Sequence, residues 1–575
     1  MLPAHGLVAV SESLNFLGAS CLRTNLRTKK AMSLAASGDV LEILTDNPSA
    51  AETIPFMLPN YGCMCLATIH EQQRWILYVK KQKGQTRMAS TTEKLGEALQ
   101  SAEPARRRLE LRNRVWAFGI IGFFALITVW SYSVDPRYLY LATYVWFGLI
   151  YGMALQYGRF CMSSAFRDLF AVGVPRMTVG IIIGVVLFSL VAAVITGAGQ
   201  STFHPIPYGY QNVIGGTIFG AGMVFAGGCA SGSLYKSGEG TVASWLVILA
   251  LSFSQTLFAL SARWQNRFVP ASWTASAAAK QLPALLSPTS GWYNQYLAGY
   301  IWNQPATTVA TVTHIKNPFL AAFVGDSLLN VILPAAIILA VAYVLTYRKG
   351  YLRNVLRSRK KSWRAELAGY WAMITASRRT AIAGLVVGVA AGLQMLVIEG
   401  LRHVFGVLNA GELLKAMGHT SGLSIQDTVF DPGYWYITTQ EAQWSGWLLH
   451  VLGVHDMRNI FYGLQNGVPN PLLNPPGWMS ICIILGSSVM ARLSNEFKLK
   501  LPSLETAIWA LIGGTLMGIG ARIGIGCNIG AFFIPVANGD PSGWLFGLGL
   551  AVGAYLCVRF YDWWINRRMA KEDIF

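Results

Sequence analysis

The sequence predicts an α-helical polytopic membrane protein built on inverted repeats with broken or re-entrant helices, with a small α/β domain at its N-terminal end. Three observations predict this. Hydrophobic residues make up 53% of the 575 positions and charged residues only 13%, about half the charged share of a soluble domain. A succession of apolar segments begins at Trp116. Two glycine-rich stretches of matching pattern, residues 215–240 and 513–530, interrupt two of those segments. A repeated break of this kind marks a binding site between the two halves of a transporter.

The net charge of +18 arises from 45 Lys and Arg against 27 Asp and Glu. These basic residues cluster beside apolar segments, as the positive-inside rule expects, so no nucleic-acid partner is inferred. The eight cysteines are scattered singly apart from Cys63 and Cys65, unlike a secreted disulfide framework. Residues 1–20 lack a basic segment followed by an apolar core, so no signal peptide is expected.

Residues 8–81 read as the α/β domain. Residues 40–44 alternate as a strand between the turn Ser37-Gly38-Asp39 and the break Asp46-Asn47-Pro48, residues 75–79 form a second strand, and residues 25–34 a basic helix. Residues 82–114 form a polar linker, helical over 91–111. Its Arg106, Arg107, Arg108, Arg112 and Arg114 place this end on the cytoplasmic side. The membrane part covers 115–565. Its apolar segments lie at about 116–133, 138–157, 177–197, 212–228, 241–260, 317–346, 380–399, 477–493, 505–523 and 542–560. The basic loop 347–380 and the C-terminal tail are expected in the cytoplasm. The long segments 261–316 and 400–476 are poorer in positive charge and are expected to be ordered external caps. The expected location is the bacterial inner membrane, multi-pass and surrounded by lipid, with both termini cytoplasmic.

The two breaks end in Gly228-Cys229-Ala230-Ser231-Gly232 and Gly526-Cys527-Asn528-Ile529-Gly530. The segment count runs them in opposite directions, as an inverted repeat requires. A broken helix offers free N–H groups and the positive end of its dipole to an anion. Cys229 and Cys527 add neutral S–H groups, weak donors that suit a soft acceptor without trapping it. Cys161 sits in a similar but looser context, and protonated, buried thiols are expected at all three. Gly228, Gly232, Gly526 and Gly530 let backbone approach the path; Ser231 and Asn528 offer a hydroxyl and an amide. Arg522 lies deep in an apolar run, where a functional or paired role is expected. Arg159 reads as an interfacial anchor or helix-end partner, with an arginine facing the path as the alternative, and Lys236 and Glu239 as the cytoplasmic mouth. Cys482 and Cys557 lie in plain apolar runs and read as packing. The glycine stretches lack the G-K-[ST] ending of a phosphate loop; no nucleotide, metal or other cofactor is expected.

Two resemblances follow. Leu17-Gly18-x-x-Cys21, Gly38-Asp39-x-Leu41, Thr45-Asp46-x-Pro48-x-Ala50 and Ile54-Pro55 resemble a TusA-type sulfur-carrier domain. The resemblance implies a persulfide carried on Cys21, before the first helix. The family follows that cysteine with proline in C-P-x-P, whereas this chain has Cys21-Leu22-Arg23-Thr24. The departure bears on persulfide carriage more than on fold, and leaves an inert docking domain as the alternative. The second resemblance is to the YeeE/YedE sulfur-transport family, over about 140–560. It rests on Gly158-Arg159-Phe160-Cys161, residues 222–232, Gly238-Glu239-Gly240, Gly520-Ala521-Arg522 and residues 526–530. It implies uptake of thiosulfate, or a related sulfur anion, through a narrow cysteine-lined path, with a cytosolic acceptor of the sulfur. A selenium compound or another soft anion is the alternative cargo. A membrane-anchored persulfide sulfurtransferase and a Cu(I) channel using Met153, Met162, Met223 and Met517 are alternatives of other classes.

Overall fold

The computed structural model describes residues 10–19, 21–71, 74–81, 103–200, 209–261, 315–348, 363–407, 410–419, 437–454 and 470–572. Most of the expected linker and of the two expected external segments lies outside these residues, as does the first part of the helix expected over 91–111.

The N-terminal part is a four-stranded sheet of order β1-β2-β4-β3 with two helices. Strand β1 (Glu12–Phe16) pairs parallel with β2 (Val40–Thr45), joined by the crossover helix α1 (Cys21–Leu34). Helix α2 (Pro48–Met57) follows. Asn47 starts it, accepting from the N–H groups of Ser49 and Ala50, with Pro48 in the first turn. The antiparallel pair β3 (Cys63–Glu71) and β4 (Arg74–Lys81) completes the sheet, with a bulge between Cys65 and Ala67. Leu22, Leu26, Leu41, Ile43, Ile54 and Leu77 fill its core. The expected strands and basic helix are present; the helix begins earlier than expected, at Cys21 itself. Cys63 and Cys65 are strand residues.

Ten helical segments among the described residues are long and apolar enough to cross a membrane, at the positions the hydropathy marked. In chain order the helices are α3 (Glu103–Val134), α4 (Leu139–Gly158), α5 (Met162–Val172), α6 (Arg176–Gly197), α7 (Tyr210–Phe225), α8 (Ala230–Gly238) and α9 (Val242–Leu260). Then come α10 (Pro318–Tyr347), α11 (Trp363–Thr375), α12 (Arg378–Phe405), α13 (Ala410–Ala416), α14 (Ile437–Val451), α15 (Pro475–Leu493) and α16 (Leu504–Ile523). Helix α17 joins the wide-turned Asn528–Phe533 to Ile534–Ala537, and α18 is Pro541–Glu572. Helix α3 exposes Trp116, Phe118, Leu126 and Trp130, the surface of a helix that faces lipid.

The packing of these helices is twofold. Helix α4 lies along α15 as α12 lies along α6, and α7 lies along α18 as α16 lies along α9. Helices α7 and α16 cross each other at the centre, and α4 crosses α12. Gly215 lies against Gly520 and Gly524, while Gly222 lies against Gly513 and Met517. Position thus rises along one helix as it falls along the other, so the two glycine-rich stretches run antiparallel. This is the expected inverted repeat. Small residues bring the backbones together: Gly180 meets Gly384 and Gly184 meets Gly388 between α6 and α12. Cys482 packs with Phe124, Val145 and Leu149, and Cys557 is also buried in the core.

The α/β domain sits on one face of this bundle through polar contacts. Glu52 of α2 receives Arg159 at 2.9 Å, Arg176 at 2.8 Å and Arg379 at 3.2 Å. Burial alone would raise the Glu52 carboxyl, but Arg159 and Arg176 hold it below its ordinary value. Arg23 pairs with Glu505 at 3.2 Å, and Lys29 donates to the Ala171 carbonyl at 3.0 Å. Arg159, which closes α4 in a left-handed conformation, also pairs with Glu496 at 2.8 Å. Of the alternatives read from the sequence, the structure shows the helix-end partner.

Candidate functional site

Three helices are broken at buried cysteines. Helix α4 stops at Arg159 and restarts as α5 after Cys161; α7 stops before Gly227 and restarts as α8 after Cys229; α16 stops before Ile525 and restarts as α17 after Cys527. Each cysteine has extended backbone and stands immediately before the first helical residue. The break before Cys527 needs Gly526, whose φ of 142° suits no other residue. The Cys229 sulfur accepts the Gly232 N–H at 3.3 Å, and the Cys527 sulfur accepts the Ile529 N–H at 3.3 Å. The Gly530 N–H also faces Cys527. The thiols thus stand in the place of the usual oxygen caps, and three positive helix ends, each about half a charge, open beside them.

The sulfurs of Cys161 and Cys229 are 3.8 Å apart. Gly232 leaves just enough room: a methyl there would lie 2.7 Å from Cys161 Sγ and 3.1 Å from Cys229 Sγ. Ser231 Oγ is 3.4 Å from Cys229 Sγ. Asn528 is fully buried and lies with its side-chain amide beside the Cys229 thiol. Gly228 lies in the break; a Cβ added there would lie 3.5 Å from both Lys236 Nζ and Ser233 Oγ. Arg522 is buried in the last turn of α16.

Cys21 lies at the end of this series that faces the α/β domain. Its sulfur is 3.1 Å from Arg167 Nη2, the same nitrogen that reaches Ser164 Oγ at 3.1 Å. Arg167 is fully buried on α5; Asp168 holds its Nε at 2.9 Å, and Nη1 has no partner. The guanidinium therefore stands between the break at Cys161 and the Cys21 thiol. Burial pushes that thiol above its ordinary value, and Arg167 opposes the push. Beside Cys21 a cavity of about 270 Å³ is lined by Gly227, Lys236, Glu239, Lys498 and Lys500, among others. Lys236 Nζ donates to the Gly227 carbonyl at 2.5 Å. Lys236 and Glu239 thus sit at a mouth beside the domain.

The structure brings Cys161, Cys229, Ser231 and Asn528 together, with Cys527 immediately before Asn528 and Cys21 joined to the break at Cys161 through Arg167. The sequence reading missed the Arg167-Asp168 pair, which it left in a connection between two apolar segments. The signal was available: two adjacent charges follow Cys161 within an otherwise apolar stretch. Among the described residues no group of three His, Cys, Asp or Glu could hold a metal ion.

An inverted pair of helical halves, broken where their helix ends meet and covered on one face by a small α/β domain, defines a membrane transporter with an attached sulfur-carrier-like domain. Residues 157–556 match the sulphur transport family, and the chain belongs to that family; residues 12–81 match the sulfurtransferase TusA family. The chain is 26% identical over 410 residues to the thiosulfate transporter TsuA of Spirochaeta thermophila, covering 71% of this chain and 94% of that one. It is also 26% identical to the protein of the same name from Escherichia coli, covering 71% of this chain and 91% of that one. A probable transporter YedE of Escherichia coli is 31% identical over 128 residues, covering 22% of this chain and 32% of its own.

Proposed function

We propose that this chain imports thiosulfate across the bacterial inner membrane, past Cys527, Cys229 and Cys161, and delivers its outer sulfur to Cys21. The reading is supported by three helices that each restart after a buried cysteine, and by the contact of Arg167 with a fourth thiol, Cys21. In this reading residues 8–81 form a cytosolic acceptor, 82–114 a linker and 115–565 the transporter. Both termini are cytoplasmic.

The chemistry suits the cargo. Thiosulfate has charged oxygens at one end and a polarizable sulfur at the other. The helix ends and glycine N–H groups take the oxygens, and protonated thiols donate weakly to the sulfur. Several weak sites in series let the anion leave as well as arrive. At Cys21 the deprotonated sulfur attacks the outer sulfur of thiosulfate. The new S–S bond forms as the old one breaks, and sulfite departs with the electron pair. Charge is conserved, and no oxidant or reductant is needed. Arg167 favours both the Cys21 thiolate and the sulfite that leaves. Consumption of the anion at Cys21 also pulls it inward, against a membrane potential that costs a dianion about 4.6 kcal/mol per 100 mV.

The test is growth on thiosulfate as sole sulfur source in a host without its own importers. The intact chain restores growth, and Cys229→Ala, present in the membrane at equal amount, does not. No growth with the intact chain present in the membrane overturns the proposal.

A further inference from the structure

Glu441 lies on α14, at the end of the line opposite the α/β domain. It is fully buried, and neither carboxyl oxygen has a hydrogen-bond partner. Its surroundings are built. Ser252 donates to the Glu441 carbonyl, Thr256 to the Ala442 carbonyl at 2.9 Å, and Gln255 to the Thr438 carbonyl at 2.9 Å. Asn474 donates to Gln440 at 2.5 Å and to Gln443 at 2.7 Å. These bonds fix the backbone and the flanking amides, yet the carboxyl itself is left without a donor. The Gln440 Nε2 and Gln255 Oε1 atoms are likewise buried without partners.

The charges that meet Glu441 are few. Helix α9, packed on α14, carries no ionisable side chain. On α15 and α8, also packed there, the ionisable groups are Cys482, Arg492, Tyr235 and Lys236, none of which is hydrogen-bonded to the carboxyl, and on α14 itself His450 is exposed. Cys527 lies close by, its sulfur facing the Thr438 backbone one turn before Glu441. A buried carboxylate with neither donor nor counter-ion is strongly disfavoured, so the group holds a proton.

The twofold packing sharpens this. Helix α14 stands to α9 as α5 stands to α18. The line therefore has Arg167 near one end and Glu441 near the other. An ionised carboxyl beside Cys527 would repel a dianion; a protonated one donates to it. We propose that Glu441 is the proton-carrying site of this transporter, taking up a proton from the far face so that anion and proton move together. The inference rests on the thiosulfate reading above and adds the coupling ion. The O–H bond forms on the Glu441 carboxyl with a proton from water at the far face; it breaks as the proton passes to the anion beside Cys527, and the anion gives the proton to water when it leaves on the domain side.

The test uses the purified full chain in liposomes with radiolabelled thiosulfate, a trapped pH dye and the membrane potential clamped. Addition of thiosulfate acidifies the lumen, and an inside-alkaline gradient raises accumulation by about tenfold per pH unit for one proton per anion. In Glu441→Gln the response to the gradient disappears, and gradient-driven uptake falls far more than equal-concentration exchange. Three results overturn the proposal: thiosulfate entering the wild-type vesicles without acidifying the lumen, a full gradient response in Glu441→Gln, or a fall of both rates in step. The first needs no variant, so it decides even if Glu441→Gln fails to assemble. Absence of thiosulfate exchange by the wild type, by contrast, removes the cargo reading itself.

Discussion

Gly232→Ala places one methyl group against the sulfurs of Cys161 and Cys229. The added carbon would lie 2.7 Å from Cys161 Sγ and 3.1 Å from Cys229 Sγ. Ordinary contacts of this kind are about 3.5–4.0 Å, so Cys161 must retreat by about 1 Å or α8 must shift. Overpacking of this size costs about 1–3 kcal/mol, too little to unfold a bundle of this length. The same displacement opens the 3.8 Å approach of the two sulfurs and fills the space between them. Uptake of radiolabelled thiosulfate is therefore expected to fall at least about tenfold, on the scale set by misplacing reacting groups by 1 Å, with the protein still present in the membrane. Cys161→Ala removes the nearer atom, so Gly232→Ala made in that background should cost little further stability while uptake stays low. Wild-type uptake by Gly232→Ala would show that the cargo does not pass between Cys161 and Cys229.

Three further predictions follow from the contacts around Cys21 and between the helices. Glu52→Gln removes the acceptor shared by Arg159, Arg176 and Arg379; faster proteolysis or hydrogen exchange in residues 21–57, with the bundle unchanged, is the expected result. Because the Glu52 carboxyl is held below its ordinary value of 4.5, its contribution to docking is complete above that value and is lost as the pH falls through the depressed one, which the same exchange measurement follows. The Cys21 thiol is pushed above its ordinary 9.0, so sulfur loading of Cys21, read by mass spectrometry, should rise with pH by up to about tenfold per unit through the neutral range; Arg167→Met should slow it at every pH. Gly384→Val drives a branched side chain into the Gly180 backbone; failure to accumulate a folded protein is expected, measured by detergent-resistant yield, because overpacking in a tight crossing cannot relax.

How far the sequence carried depended on the kind of signal. Apolar segments are long and nearly uncharged, so hydropathy found every crossing helix, including those broken at Cys229 and Cys527. The inverted repeat was legible because its halves share a glycine pattern, and glycine is kept where Gly215 and Gly520, or Gly222 and Gly513, must touch. The break at Cys161 was harder to read. It uses Arg159 in a left-handed conformation rather than a glycine-rich run, and so resembled a simple helix end. Arg167 and Glu441 were missed because each sits on a helix of modest length beside a crossing segment, where hydropathy treats charge as a boundary. Their importance comes from burial and from what faces them, and neither is a property of a single stretch. Cys21 was found by motif, but its contact with Arg167 joins residues far apart in the chain and could be seen only in the folded protein.

The central claim is that thiosulfate crosses by the cysteine line and ends on Cys21. The most direct measurement feeds cells thiosulfate labelled in its outer sulfur and weighs the peptide containing Cys21. Labelled sulfur is expected on Cys21 in the intact chain and none in Cys229→Ala. Labelled thiosulfate found intact inside the cells, with Cys21 unmodified, would contradict it.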